Sequence, residues 1–408
     1  MTKLQDIFPA DEKPASKTLT ALLALVAFTL PFKFLVNGFI AAALLVWLLG
    51  KPWNNLFTRS RFTPVLIAIL LFYLLHALAF IYTANISEGF FNLEVKLSMF
   101  LFPLIFYSGR YTWPQMKLFL TSFVLGNALC CLICLCRSAV LSFRGDPGFD
   151  PFFYEGLSWF QHPSYLSMYL TFCCIVMLQK KIFGRLAEAL LLVFFTVFVL
   201  LLSSKTGIAI HFLFLLMTGI SYFLKKGNYL QVGLFALVSV IALVLVVSFV
   251  SPVKERFTNV LNALTSPQID KTAEESTAVR MLIWHEAIEI IKEKPLRGVG
   301  PGDANDALYN SYRTHGLTGA YKKRLNAHSQ YFQTAVGLGL IGLASLLSLF
   351  VLPFFRRPRR LLVFFLLITA VNFLTESMLQ TMAGCIFFGY FYALLSFDKE
   401  LNSKTAIV

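Results

Sequence analysis

Charge is what this 408-residue sequence has least of: 14% of its residues are Asp, Glu, Lys or Arg, where a soluble domain carries about a quarter. That scarcity excludes an ordinary soluble globular protein. Acidic residues are almost missing from the centres of the apolar runs; Glu188 and Glu376 fall near run ends. Proton-coupled carriers keep ionisable groups at mid-membrane, so a carrier is disfavoured. Cysteine is missing from the loops. Cys130, Cys131, Cys134, Cys136, Cys173, Cys174 and Cys385 all lie inside apolar runs with no His or acid among them. They read as small apolar filler rather than a metal site or a disulfide framework. Residues 1–18 lack a compact basic and apolar leader, so no cleavable signal peptide is expected, and the first apolar run reads as a spanning helix.

What is present is hydrophobicity, at 57% of residues with a mean hydropathy of +0.71. It comes in separate runs, each long enough to cross about 30 Å of hydrocarbon. Twelve spans are predicted, near 19–32, 35–50, 63–82, 93–108, 117–136, 163–179, 187–202, 205–223, 230–249, 328–352, 360–375 and 379–396. The net charge of +14 does not indicate nucleic-acid binding, because the basic residues form short clusters between runs. Lys51, Arg59 and Arg61, then Arg110 and Lys117, then Lys180, Lys181 and Arg185, then Lys225 and Lys226, then Arg356, Arg357, Arg359 and Arg360 occupy alternate loops. The positive-inside rule then puts both termini in the cytoplasm.

This parity leaves residues 251–327 on the far side of the membrane, between nine spans (1–250) and three more followed by a tail (328–408). Such a long loop translocates regardless of its own charge. Helical apolar spacing appears in Phe257, Val260, Leu261 and Leu264, and again in Met281, Trp284, Ile288 and Ile291. Pro295 is expected to end the second helix, and Gly298-Val299-Gly300-Pro301-Gly302 to form a turn. Short amphipathic helices over the membrane mouth are expected, apolar faces down. A second outer loop, 138–162, carries Arg144, Asp146, Asp150, Glu155 and His162.

The polar and basic residues therefore gather at the outer face, which suits an enzyme acting there on a lipid-borne substrate. His328 opens the tenth span; a helix N-terminus disfavours imidazolium, and a neutral imidazole is what a general base requires. On position alone, an interfacial His bonded to a loop carbonyl is the simpler reading. Ser203-Ser204-Lys205-Thr206-Gly207 starts the eighth span and offers hydroxyls, a lysine and free N–H groups to an anion; a capped helix with a snorkelling lysine reads equally well. Arg280 precedes Trp284 by one turn and can present its fork to a phosphate, or be a surface arginine. His162 and Arg144 either contact diphosphate or sugar or cap the sixth span. Glu376 can orient His328. Gly337, Gly339 and Gly342 are read as close-packing positions, and His76 and His211 as packed core.

These pieces together resemble the O-antigen ligase and polymerase superfamily of bacterial envelope glycosyltransferases, over about residues 190–390. His328-Ser329, nine residues, Gly339, two residues, Gly342 is similar to the ligase signature. So is Arg280-x-x-x-Trp284 followed by Pro295, Gly298, Gly300 and Gly302, and a basic residue after paired serines, although the family more often has arginine where this chain has Lys205. The resemblance implies an all-α, GT-C-like fold in a bacterial inner membrane, with its active site on the periplasmic face. It implies a metal-independent, inverting transfer without cofactor, from undecaprenyl-diphosphate-linked glycan to lipid A–core oligosaccharide. His328 would be the base, and Arg280 and Lys205 would hold the diphosphate, with the motif residues Ser329 and Trp284 in support; Arg144 and His162 as further contacts and Glu376 as a supporting carboxylate are candidates by position alone. Membrane lipids surround such a protein, and no nucleic acid is expected. A polymerase of the same superfamily is the alternative; a lipid-linked glycan flippase, from another class, is disfavoured because no internal repeat is apparent.

Overall fold

A computed structural model of the chain describes residues 4–10, 12–33, 35–51, 53–58, 63–109, 111–144, 150–249, 254, 258, 271–272 and 277–397. Among these residues the regular secondary structure is all helix, with no strand. Each predicted span coincides with a helix: Pro14–Thr29, Val36–Gly50, Pro64–Ala79, Ile86–Ser108, Trp113–Ser142, Pro163–Lys180, Arg185–Leu201, Lys205–Lys225, Tyr229–Phe249, Gln330–Val351, Arg360–Thr375 and Met382–Phe397. Among the described residues, four stretches are long and apolar enough to cross a membrane: Ile86–Ser108, Trp113–Ser142, Lys205–Lys225 and Gln330–Arg356. In lipid a helix satisfies its own backbone groups, so apolar runs of this kind fold as helices.

Two boundaries move well beyond their predicted positions, each for a polar reason. Helix Ile86–Ser108 begins seven residues before the apolar run, because Asn85 caps it by accepting from the Glu88 amide at 3.2 Å. Helix Trp113–Ser142 continues past Cys136 through Arg137, whose guanidinium donates to the Gly156 carbonyl at 2.9 Å and lies over the Trp159 ring. A charge satisfied by its neighbours does not end a helix.

The main core is aromatic. Phe123 and Phe172 pack on Phe391 with ring centroids 4.6 and 4.9 Å apart, and Phe365 meets Phe387 at 5.5 Å. Edge-on and tilted rings fill space densely, and packing of this kind replaces the hydrophobic drive between helices in lipid. Six of the seven cysteines are buried, with Cys136 exposed, and His76 and His211 are buried as expected.

A second, smaller core belongs to the loop between helices Tyr229–Phe249 and Gln330–Val351. Helix Thr277–Glu293 ends just before Pro295, as predicted, but its buried stripe is Val279, Ile283, Ala287 and Ile290. Met281 and Ile288, expected on the apolar face, are exposed. The helix carries apolar residues on two adjoining stripes, and contact with Leu308, Tyr312, Ala327 and Val336 selects one. The expected helix through Phe257, Val260, Leu261 and Leu264 lies outside the described residues.

Candidate functional site

Five chain segments meet at one end of the bundle around Glu376. Helix Arg360–Thr375 stops there, and the Glu376 backbone turns extended while its amide still bonds the Asn372 carbonyl at 3.0 Å. Helix Pro163–Lys180 starts beside it, with His162 as its N-cap: Nδ1 accepts from the Ser164 amide at 3.4 Å. Helix Lys205–Lys225 starts there too, capped by Ser204, whose Oγ accepts from the Gly207 amide at 3.2 Å. Gly207 permits the closeness of these two starts, since a Cβ on it would stand 2.1 Å from Ser167 Oγ. Ser164 and Ser204 therefore come together, their hydroxyl oxygens 3.2 Å apart, and Ser164 Oγ donates to Glu376 Oε1 at 3.2 Å.

The other two segments bring the cation and the imidazole. Arg280, near the start of helix Thr277–Glu293, donates from Nη2 to Glu376 Oε1 at 3.2 Å. His328 Nδ1 stands 3.8 Å from Glu376 Oε2, which exceeds a hydrogen bond. That nitrogen is buried and has no hydrogen-bond partner among the described residues. The two carboxylate oxygens thus face two different groups.

Local bonds hold His328 where it is. Its φ is 44°, in the left-handed region, which non-glycine residues adopt sparingly and mostly where surroundings impose it. The His328 amide donates to Asn326 Oδ1 at 2.9 Å, and the preceding Ala327 amide to Gln333 Oε1 at 2.9 Å. Ser329 Oγ donates to the Phe373 carbonyl, one turn before Glu376, at 3.3 Å. Gln330 Oε1 accepts from the Leu379 amide at 2.7 Å, tying the histidine turn to the chain just after Glu376. Helix Gln330–Val351 begins two residues after His328, so the imidazole lies on the approach to the helix rather than in its first turn.

Its neighbours favour Glu376 as an anion. Burial pushes its carboxyl up, but His328 and Arg280, with a contribution from His162, more than offset this and hold it at about 2. Its side chain is 8% exposed, against 30% for Arg280 and 20% for His328. The carboxylate is the buried hub, and the groups able to touch a ligand stand at its rim. Arg280 gives one of its five N–H donors to Glu376.

The glycine spacing has a different structural meaning from close helix–helix packing. Gly339 breaks helix Gln330–Val351, with φ 65° and ψ −164°, a conformation essentially confined to glycine. Chain from the Pro295–Gly302 loop enters the break: the Leu340 amide donates to the Pro295 carbonyl at 2.7 Å, and the Val299 and Gly300 amides donate to the Val336 and Gly337 carbonyls at 2.9 and 3.0 Å. A Cβ on Gly339 would lie 2.3 Å from the Leu296 oxygen.

Of the other sequence-derived candidates, Trp284 does not cradle Arg280. Its indole N–H donates to the Ala327 carbonyl at 3.0 Å and its ring packs on Phe332, so it steadies the residue before His328. Lys205 is half-buried in the first turn after Ser204. Arg144 is exposed beyond helix Trp113–Ser142, and no hydrogen bond or ion pair joins it to Arg280, His328 or Glu376 among the described residues. Sequence reasoning missed Ser164, Gln330 and Gln333. The last two were visible as amides at i and i+3 in the first turn of an otherwise apolar helix.

Residues 190–347 match the family model described as O-antigen ligase. The match runs from helix Arg185–Leu201 into helix Gln330–Val351 and contains Lys205, Arg280, Trp284, His328 and Ser329. Glu376, His162 and Ser164 lie outside it. No curated protein matches the chain.

Proposed function

We propose, from the match of residues 190–347 to the O-antigen ligase family model, that the chain is a twelve-span, GT-C-like glycosyltransferase of a bacterial inner membrane. It transfers a glycan from undecaprenyl diphosphate to lipid A–core oligosaccharide at the periplasmic face. The observation that carries the reading is the placement of Glu376 between Arg280 and His328, at 3.2 and 3.8 Å. It supplies a base and an anion-binding cation at one rim.

The acceptor hydroxyl oxygen attacks the anomeric carbon as the bond to the diphosphate breaks, and the configuration inverts. His328 takes the hydroxyl proton on Nε2. A small approach of Nδ1–H to Glu376 fixes that tautomer and stabilises the imidazolium; catalytic bonds that are long in a free enzyme tighten in the complex. The donors of Arg280 not engaged by Glu376, with Lys205, stabilise the negative charge that develops on the leaving diphosphate. That leaving group needs no protonation, which agrees with a site whose carboxylate is held ionised. His162, at the lip beside Ser164, and Arg144 are peripheral contacts for the lipid-linked donor. In this reading residues 251–327 are the periplasmic loop that brings active-site residues, between nine spans in 1–250 and the last three spans and cytoplasmic tail in 328–408.

The test uses purified protein in detergent, with undecaprenyl-diphosphate glycan, no added metal, and either lipid A–core or donor alone. Glycan arriving on lipid A–core, abolished by His328→Ala, is the expected result. Chains that lengthen on the diphosphate carrier instead would make the protein a polymerase. Full transfer by the His328→Ala protein would sink the assignment of the base.

A further inference from the structure

Lys96 is fully buried in the middle of helix Ile86–Ser108, inside an apolar span. A lysine placed there is costly to bury and by default marks a functional position. Its Nζ donates to Asn92 Oδ1, one turn up, at 2.9 Å. The same Asn92 amide donates from Nδ2 to the Pro301 carbonyl at 3.2 Å and to the Glu88 carbonyl at 3.0 Å. Pro301 sits in the loop whose amides occupy the break at Gly339.

We propose that Lys96 and Asn92 are positioning residues: they dock the Pro295–Gly302 loop, and through it set the broken helix that carries His328. An asparagine amide has two nearly isosteric ends. An ammonium beside it decides between them, since only Oδ1 can accept from Lys96. Nδ2 must then face Pro301. Without the lysine the amide can turn and set Oδ1 against the Pro301 carbonyl, acceptor against acceptor. The loop's next residues repeat the docking at the head of the same helix, where Asp303 accepts from the Ala84 and Asn85 amides at 2.8 and 2.7 Å. Its far side reaches the histidine turn: Gln333 donates to Asn305 Oδ1 at 2.9 Å and accepts from the Ala327 amide at 2.9 Å. A polar path thus runs from mid-bundle to the residue before His328.

The effect on transfer rests on the proposed function; the docking does not, and two readouts on the full-length protein separate them. Asn92→Asp is the decisive variant, because its carboxylate keeps Lys96 paired yet cannot donate to Pro301. Lys96→Met is the second variant, and Ser98→Ala, in the same helix and away from the loop, is the control. Hydrogen exchange read by mass spectrometry should show the Val299, Gly300 and Leu340 amides opening about tenfold faster in Asn92→Asp and Lys96→Met, and unchanged in Ser98→Ala. Per folded molecule, kcat for transfer should fall by about tenfold in Asn92→Asp with KM for the lipid-linked donor held within about twofold, the mark of lost positioning rather than lost binding. Wild-type exchange in Asn92→Asp, or equal acceleration in Ser98→Ala, overturns the proposal. Absence of transfer by the wild type would remove the proposed function and leave the exchange result to decide the docking.

Discussion

The aromatic core and the Glu376 rim are built on opposite terms. In the core, Phe123, Phe172, Phe365, Phe387 and Phe391 touch several rings each, all are buried, and no single contact is indispensable. At the rim, one carboxylate serves Arg280, Ser164 and the approach of His328, and each of those comes from a different segment. The core tolerates imprecision because dispersion is spread over many atoms. The rim does not, because its groups converge on a single carboxylate, and His328 Nδ1 has no hydrogen-bond partner among the described residues. Stability is distributed in this molecule, and chemistry is concentrated.

Substitutions should divide along that line. The largest expected effect after loss of His328 is that of Arg280→Ala, which removes the cation at the leaving group and strands a buried carboxylate. Transfer per folded molecule should fall by roughly 10²–10³-fold. Arg280→Lys should recover only part of this, since an ammonium lacks the planar fork. Initial rates with lipid-linked donor measure both. An Arg280→Ala protein that transfers normally would mean the rim is not concentrated as described.

Gly339→Ala is expected to be next. Its backbone conformation costs about 1–3 kcal/mol for a residue with a Cβ, and the added methyl meets the Leu296 oxygen. Thermal unfolding in detergent should shift down, and transfer should fall with it because the displaced loop steadies the His328 turn. An unchanged midpoint with unchanged transfer would refute the interlock.

Glu376 sharpens the comparison through pH. Its folded carboxyl titrates at about 2, against an ordinary 4.5. A depressed carboxyl contributes stability that is fully present above the ordinary value and is lost as pH falls through the folded value. The protein should therefore lose at most about 3 kcal/mol from this group between pH 4.5 and pH 2. Glu376→Gln should flatten unfolding free energy across that window while lowering transfer at neutral pH. An acid dependence identical to wild type would show that the carboxylate is not held as described.

The smallest effect on chemistry should come from the core. Phe391→Leu should cost about 1–3 kcal/mol of stability and leave transfer per folded molecule within about twofold. A large loss of rate at constant folded protein would erase the distinction between the two regions.

Much of the site was legible before folding, but as separate pieces. His328 and Ser329 with their glycine spacing, Arg280, Lys205 and the run-end acid Glu376 could each be singled out in one dimension. Glu376 could even be paired with His328, but its contacts with Arg280 and Ser164 could not be read, because these residues come from segments far apart in the chain. Trp284 shows the limit in another way. Its i, i+4 spacing from Arg280 suggested a shared task, yet its indole turned to the Ala327 carbonyl, an acceptor visible only in three dimensions.

By itself the sequence determined that the chain is a set of apolar helices, where most of them lie, and which polar residues stand at their ends. It could do so because length, hydropathy and capping are local properties, and in hydrocarbon a helix satisfies its backbone groups within its own segment. Only the tertiary structure decided which stripe of helix Thr277–Glu293 is buried, that Gly339 breaks a helix to admit a loop, and that Lys96 is paired inside the bundle. Each of those depends on a partner distant in sequence, and a residue pattern records what a side chain can do without recording what it meets.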